Sequence, residues 1–202
     1  MLNSSVPNIP NLLELDLSSN EFKQIEHVGI WRLCGLKQLS ASHNPFDIER
    51  DDSTKNVSEC SHYALERLFL QLSLNGTFPE LLGRLANLSG LHLSGGGLTG
   101  PIPDSVRSLR FLEVLDLSDN LLTGPIPTFL GRLSYLDLSS NWLNGTIPKS
   151  IGELSALTNL NLGFNQLTAS SPALDILLLL ALPLSTCAAC FCFSFASLQV
   201  SK

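Results

Sequence analysis

Charged residues are scarce in this sequence, and basic residues are scarcer than acidic ones. Only 15% of the 202 residues are charged, with 12 Lys and Arg against 18 Asp and Glu, which gives a net charge of -6. No cluster of Lys or Arg occurs along the chain. Because a surface that binds nucleic acid needs concentrated positive charge opposite the phosphates, we do not expect nucleic acid as a partner.

The sequence also lacks the motifs that mark common catalytic and cofactor sites. It has no Gly-x-Ser-x-Gly nucleophile motif and no kinase catalytic loop. The run Gly95–Gly97 is not followed by the Lys-Ser/Thr pair and the helix of a phosphate-binding loop. The four histidines are not at metal-ligand spacing, and no cysteine pair stands near enough to complete a site. We therefore expect a protein without catalytic activity, bound metal or cofactor.

What the sequence does contain is a Leu- and Asn-rich unit that recurs at about 24 residues. The degraded copy Leu65–Ser73 has lost one residue before Leu74, and in Leu88–Gly96 the final Asn is replaced by Gly. The pattern Leu-x-x-Leu-x-Leu-x-x-Asn ends, in its five other copies, at Asn20, Asn44, Asn120, Asn141 and Asn165.

Each copy predicts a short strand followed by a turn. In one copy Leu115 and Leu117 alternate with polar residues, so one face of the strand is buried. The Asn amide that follows can satisfy backbone groups of the turn and of the next coil. A single coil cannot bury its own leucines, but stacked coils bury a continuous column of them. Helical heptads are excluded because Asn, Gly and Pro recur in phase within each unit.

The second half of the unit narrows the protein class. Leu-Thr-Gly-Pro-Ile-Pro occurs at 98–103 and 122–127, with Leu-Asn-Gly-Thr-Ile-Pro at 143–148 and Leu-Asn-Gly-Thr-Phe-Pro at 74–79. Leu-Gly then follows, as at Leu82-Gly83 and Leu130-Gly131. This signature resembles the plant-specific class of leucine-rich repeats, found in plant receptor-like kinases, receptor-like proteins and polygalacturonase-inhibiting proteins.

The resemblance implies an α/β-type leucine-rich repeat solenoid, curved, with parallel β-strands on its concave face and few helices. We expect about seven repeats over residues 9–172, after an N-terminal stub of residues 1–8 and before an apolar tail of residues 173–202. Short strands, turns and 3₁₀ segments should follow on the convex side, beginning at the Ile-Pro or Phe-Pro pairs. Five extra residues within Asp47–Cys60 predict a loop, and one missing triplet between Asn120 and Asn141 shortens that coil.

The cysteines and the glycosylation motifs bear on the cellular compartment. Cys34 and Cys60 occupy related points of adjacent coils, which are about 5 Å apart, within disulfide reach. A similar pair flanks such a coil in plant receptor-like proteins, although two buried thiols would also fit. N-glycosylation is permitted, through Asn-x-Ser/Thr motifs, at Asn3, Asn56, Asn75, Asn87 and Asn144.

The two ends differ from those of a complete family member. The residues from Met1 to Leu17 contain no apolar stretch of a secretory signal, and we expect the N- and C-terminal caps of the family to be missing. Without polar caps a solenoid exposes apolar ends, so we expect the chain as written to be poorly soluble. The uncharged run Ile176–Val200 has three readings: a transmembrane helix interrupted by Pro183, a lipid-anchor signal, or sequence from a truncated or mis-spliced gene.

The resemblance implies recognition of a peptide or protein on the concave face. The receptor would lie in the cell membrane, with extracellular repeats and a kinase-bearing co-receptor, and would serve defence or developmental signalling. The alternative is a secreted cell-wall inhibitor similar to polygalacturonase-inhibiting proteins. Candidate contacts are the residues between the paired leucines and three flanking aromatic or Arg side chains. They are Asp16, Ser40, Phe69, His92, Asp116, Asp137 and Asn161, flanked by Arg67, Tyr135 and Phe164.

Overall fold

A computed structural model describes residues 9–22, 33–44, 60, 62–71, 76–78 and 80–168. Its main element is a parallel sheet of seven three-residue strands, one from each repeat, in the order β1-β2-β3-β4-β6-β8-β10. The strands are β1 (Glu14–Asp16), β2 (Gln38–Ser40), β3 (Arg67–Phe69), β4 (Gly90–His92), β6 (Val114–Asp116), β8 (Tyr135–Asp137) and β10 (Asn159–Asn161).

The sheet forms because each strand has its leucine at the same register position. Leu39 pairs with Leu68, and Leu91 with Leu115, so that the leucines form one column through the coils. These four side chains are buried, whereas Leu15 in β1 is half-buried, since β1 has one strand neighbour in the sheet. The predicted solenoid with stacked leucines is therefore confirmed.

A second parallel sheet follows the turn in the later coils, in the order β11-β9-β7-β5. Gly100, Gly124 and Gly145 have φ of 78–79°, a left-handed conformation that glycine adopts without steric cost. No strand runs through Asn120 or Asn141, as the repeat pattern requires. The strands are β5 (Thr99–Gly100), β7 (Leu121–Pro125), β9 (Trp142–Thr146) and β11 (Gln166–Thr168).

Short 3₁₀ helices follow three of the four Pro pairs: η1 (Glu80–Arg84), η2 (Asp104–Ser108) and η3 (Lys149–Glu153). The fourth pair, Ile126-Pro127, is followed by turns and no helix before β8, and this is the coil that lacks one triplet. Length variation thus falls outside the strands, as predicted. In this shortened coil the Arg107 guanidinium lies 4.8 Å from the ring centre of Phe129, a cation–π contact with η2 of the preceding coil.

Hydrogen bonds between coils explain why Asn recurs at the same position of the repeat. The Asn120 Nδ2 donates to the carbonyls of Leu93, Leu117 and Ser118, at 2.8–3.0 Å. Its Oδ1 accepts from the backbone N–H groups of Gly96 and Leu98. Asn44, Asn141 and Asn165 bond in the same way. The neighbouring coil that the amide satisfies is the preceding one, not the next one as the sequence suggested.

The residue before each Asn lies in the left-handed region, at φ of 54–57° for Ser19, His43, Asp119, Ser140 and Phe164. Gly95 takes this position where the repeat ends in Gly96, at φ of 66°. A Cβ at Gly95 would lie 2.8 Å from the Gln71 Nε2, so glycine also avoids a collision there. The turn therefore holds non-glycine residues in a conformation that costs them energy, and the Asn bonds maintain it.

Cys34 and Cys60 form a disulfide, with their Cα atoms 5.5 Å apart. The Ala64 N–H donates to the Cys34 carbonyl at 3.0 Å, which also joins these two coils. The bridge spans 26 residues and stabilises the coil that carries the insertion by about 3.5 kcal/mol of chain entropy. The predicted loop within Asp47–Cys60 lies outside the described residues, apart from Cys60.

Several expectations concern residues that the structure does not describe. The stub of residues 1–8, the repeat end at 169–172 and the tail from 173 onward belong to this group, as do the glycosylation motifs at Asn3, Asn56 and Asn75. In the part of the chain that is described, no helix has the length and apolarity to cross a bilayer.

Candidate functional site

The candidate contact residues lie along the exposed side of the seven-stranded sheet. The third residues of the seven strands pair in register and form what we call the trailing row: Asp16, Ser40, Phe69, His92, Asp116, Asp137 and Asn161. The first residues form the leading row: Glu14, Gln38, Arg67, Gly90, Val114, Tyr135 and Asn159. Together the two rows are the sheet face. Seven of the ten candidates therefore form one continuous row.

The aspartates of the trailing row each serve the turn that follows their own strand. The Asp116 Oδ1 accepts from the Ser118 N–H and hydroxyl at 3.1 and 2.7 Å. The Asp137 Oδ1 accepts from the same two groups of Ser139 at 2.9 and 2.6 Å. One carboxylate oxygen thus stabilises the turn, which leaves Oδ2 to make contacts across the face.

A stacked pair occupies the middle of the trailing row. The rings of Phe69 and His92 are 4.4 Å apart between centres and nearly parallel, at 13°. On its other side the His92 Nδ1 lies 3.7 Å from the Asp116 Oδ2, too long for a direct hydrogen bond but close enough for electrostatic attraction. Burial raises the pKa of Asp116, but the contacts with His92 and Ser118 outweigh this effect and the pKa is lowered.

Asp137 is the centre of a second contact group. Its Oδ2 accepts from the Asn161 amide at 3.1 Å and lies 3.5 Å from the Tyr135 hydroxyl, at the limit of hydrogen bonding. Three predicted residues from two adjacent strands are thereby brought together. Because Asp116 and Asp137 are register partners on β6 and β8, their carboxylates lie side by side on the face.

Arg67 lies in the leading row, beside the glycine that begins β4. Its Nε donates to the Gln38 Oε1 at 2.7 Å, and an Nη atom lies 4.0 Å from the Glu14 Oε1. The next residue in this row is Gly90, where a Cβ would meet the Arg67 Cγ at 3.5 Å. Gly90 is buried, and the absence of a side chain there lets the Arg67 stem lie close to the backbone of β4.

Phe164 is placed differently from the other candidates. It lies in the left-handed turn after β10, outside both rows, and 65% of it is exposed.

Sequence reasoning missed Glu14, Gln38, Gly90 and the serines that follow the aspartates by two residues. Aligning the repeats position by position would have placed the first three beside Arg67 and Tyr135. Within the described ranges, no group of three or more His, Cys, Asp or Glu side chains could hold a metal ion.

Residues 111–133 and 132–154 match the Leucine Rich Repeat family. No curated protein matches the chain in sequence. The repeats that match contain β6 to β9 and therefore include Asp116, Tyr135 and Asp137 of the sheet face.

Solved structures with the same fold include two plant receptors. The plant peptide hormone receptor RGFR1, in complex with RGF2, is 32% identical with a TM-score of 0.65, over 79% of this chain and 25% of that one. The Arabidopsis receptor kinase HAESA ectodomain, in complex with an extended IDA peptide hormone, is 30% identical with a TM-score of 0.62, over 79% and 27%.

A bacterial leucine-rich repeat protein is equally similar in shape. This protein, from Leptospira interrogans, is 27% identical with a TM-score of 0.65, over 86% of this chain and 42% of that one. The chain spans about a quarter of the length of the two plant receptors. Similarity in shape thus extends beyond plant receptors. The fold alone does not identify a ligand, and the ligand must be inferred from the residues of the sheet face.

Proposed function

We propose that this chain, a leucine-rich repeat solenoid, is a recognition module that binds a peptide or protein on its sheet face. The observation that carries the proposal is the register of the trailing row. It places aromatic, imidazole, carboxylate and amide side chains along one partly exposed line. RGFR1 and HAESA, which share the fold, are both described in complex with peptide hormones.

The charges on the face favour a ligand with a basic residue. The two rows contain four carboxylates, from Glu14, Asp16, Asp116 and Asp137, against the single guanidinium of Arg67. Arg67 is paired with Gln38 and Glu14. The Oδ2 atoms of Asp116 and Asp137 contact His92 and Asn161, and a carboxylate oxygen can accept a further hydrogen bond. A Lys or Arg of an extended peptide could pair with these oxygens, next to the apolar surface of Phe69.

The test begins with the full chain and a displayed library of random peptides. Selected peptides should be enriched in Lys and Arg. Their affinity should fall with rising salt, because added salt screens the attraction between their charges and the carboxylates of this face. In the double variant Asp116→Asn, Asp137→Asn, affinity should fall by about ten-fold or more, equivalent to about 1.4 kcal/mol. Asn keeps the Oδ1 that accepts from the following Ser, so the turns should remain folded.

Glu153→Gln is a single-charge control, because this exposed carboxylate lies in η3, outside the sheet face. It removes one negative charge and should leave the affinity unchanged. If the Glu153 variant weakens binding and the double variant does not, the ligand binds another surface and the proposal is wrong.

For the whole protein we propose an extracellular role in a plant cell-surface receptor, in defence or developmental signalling. The Cys34–Cys60 disulfide supports export, because disulfides persist in oxidising compartments. We propose that the signal passes to a kinase-bearing co-receptor. Retention of the full chain in carbonate-washed membranes would support the receptor. Release from membranes, together with inhibition of a polygalacturonase, would favour the wall inhibitor instead.

A further inference from the structure

Strand β9 exposes a tryptophan and an asparagine on the same side. Trp142 is 54% exposed, Leu143 is fully buried and Asn144 is exposed. Since successive side chains of a strand point to opposite faces, Trp142 and Asn144 are neighbours about 6.6 Å apart along the strand. The residues that follow the repeat Asn in the adjacent coils are Leu121 and Gln166, so the ring is particular to this coil.

Asn144 is also the acceptor of an Asn-Gly-Thr motif, with Thr146 exposed. Among the described residues, no hydrogen bond to the side-chain amide of Asn144 is found. This side chain therefore projects from the strand and does not stabilise the fold through a hydrogen bond. Asn87, the other described acceptor, differs in both respects. Its Nδ2 donates to the Tyr63 carbonyl at 2.8 Å, and the residue two positions before it, Leu85, is fully buried.

We propose that Asn144 carries an N-linked glycan whose first sugar lies against the indole ring of Trp142. A pyranose has one face of C–H groups, and packing this face on the indole removes apolar area of both groups from water. The sugar would thereby cover a large aromatic surface that is otherwise half exposed. A glycan at Asn87 would have no aromatic side chain at the equivalent position, since Leu85 stands two residues before that Asn.

The modification is a group transfer from a lipid-linked oligosaccharide diphosphate. A bond forms between the Asn144 Nδ2 and C1 of the first sugar as the bond from C1 to the diphosphate oxygen breaks. The lipid diphosphate leaves with the electron pair, and the amide proton passes to a base of the transferase. The step requires export, as the proposed function does, but no peptide ligand, so either proposal can fail alone.

The experiment uses the full chain behind a secretory leader, produced in plant cells. Peptide mass mapping after enzymatic deglycosylation in ¹⁸O water reports the occupancy of each motif. Acrylamide quenching of fluorescence, in a Trp31→Phe background, reports the exposure of Trp142. Thr146→Ala removes the motif but keeps Trp142, and Trp142→Ser copies the other Leu-Asn-Gly-Thr unit, which has Ser73 two residues before its Asn.

We expect Asn144 to be glycosylated in most molecules. Quenching should be about two-fold weaker than in Thr146→Ala, because one of the two ring faces is covered. Trimming the glycan to one sugar should keep this protection, and complete removal should abolish it. In Trp142→Ser the enzyme that cleaves the glycan from Asn144 should act faster, because the first sugar no longer lies against a ring.

Two results would overturn the proposal: an unmodified Asn144 in the exported protein, or equal quenching with and without the sugar. If little protein is exported, glycosylation of Asn144 can be measured by translating the chain in vitro with microsomes. With Asn3, Asn56, Asn75 and Asn87 replaced by Gln, the remaining motif should give one gel shift that Thr146→Ala removes. Absence of that shift would equally exclude a glycan at Asn144.

Discussion

Replacing Asn120 with alanine should destabilise the solenoid more than any other single polar substitution in the described repeats. The Asn120 amide makes five hydrogen bonds, to groups of its own coil and of the preceding one, and only 4% of the residue is exposed. The N–H groups of Gly96 and Leu98 have no other acceptor among the described residues. Alanine would leave these donors buried and unpaired.

The expected loss follows from the number of groups left unpaired. Each buried polar group without a partner costs about 1–3 kcal/mol, so two donors and the affected carbonyls predict a loss of about 3–5 kcal/mol. Asn20→Ala is the matched control, with the same residue at the same point of the first described repeat. Asn20 is exposed and, among the described residues, bonds only to carbonyls of its own turn. The Leu17 carbonyl would still accept from Asn44. It should lose less than about 1 kcal/mol.

The assay is urea unfolding of the full chain, followed by circular dichroism, with and without each substitution. The free energies should separate the two variants clearly, with a similar dependence on urea for both. Equal losses in the two variants, or a loss below about 1 kcal/mol for Asn120→Ala, would refute the reasoning. The contacts of the leucine column would then hold the coils together without help from the Asn amides.

Three further expectations concern other contacts. Gly83→Ala should cost about 1–3 kcal/mol in urea unfolding, because the new Cβ would lie 3.0 Å from the Ser105 Cβ; Gly35→Ala, with no described atom within 4 Å, should be neutral. Cys34→Ser should lower the free energy of unfolding by about 3.5 kcal/mol, and a reducing agent should then have no further effect on that variant. The lowered pKa of Asp116 means that its stabilising contribution is complete above the unfolded pKa and is lost as the pH falls through the folded pKa. Thermal melts between pH 7 and about 2.5 should therefore show a shallower acid-side loss for Asp116→Asn than for the parent chain.

Much of the candidate site could be predicted because the repeat fixes which residues share a row. Once Leu68, Leu91 and Leu115 are known to be equivalent, Phe69, His92 and Asp116 must be neighbours on the exposed side. The Cys34–Cys60 bridge followed from the same logic, since equivalent points of adjacent coils lie one strand spacing apart. Phe164 was placed less well, because a position in the turn does not share the alternation of the strand.

What the sequence alone determined was the one-dimensional order of the molecule: its coils, their strands, the 3₁₀ segments after Pro and the shortened coil between Asn120 and Asn141. Each of these follows from contacts within a unit or between neighbouring units, so the phase of the repeat contains the information. Only the tertiary structure decided how side chains use their positions. It showed that Asn120 bonds backward to the preceding coil and that Asp116 divides its two oxygens between Ser118 and His92. It also showed that Trp142 remains exposed beside Asn144. Such choices depend on distances and directions across coils, which residue types and spacing leave undetermined.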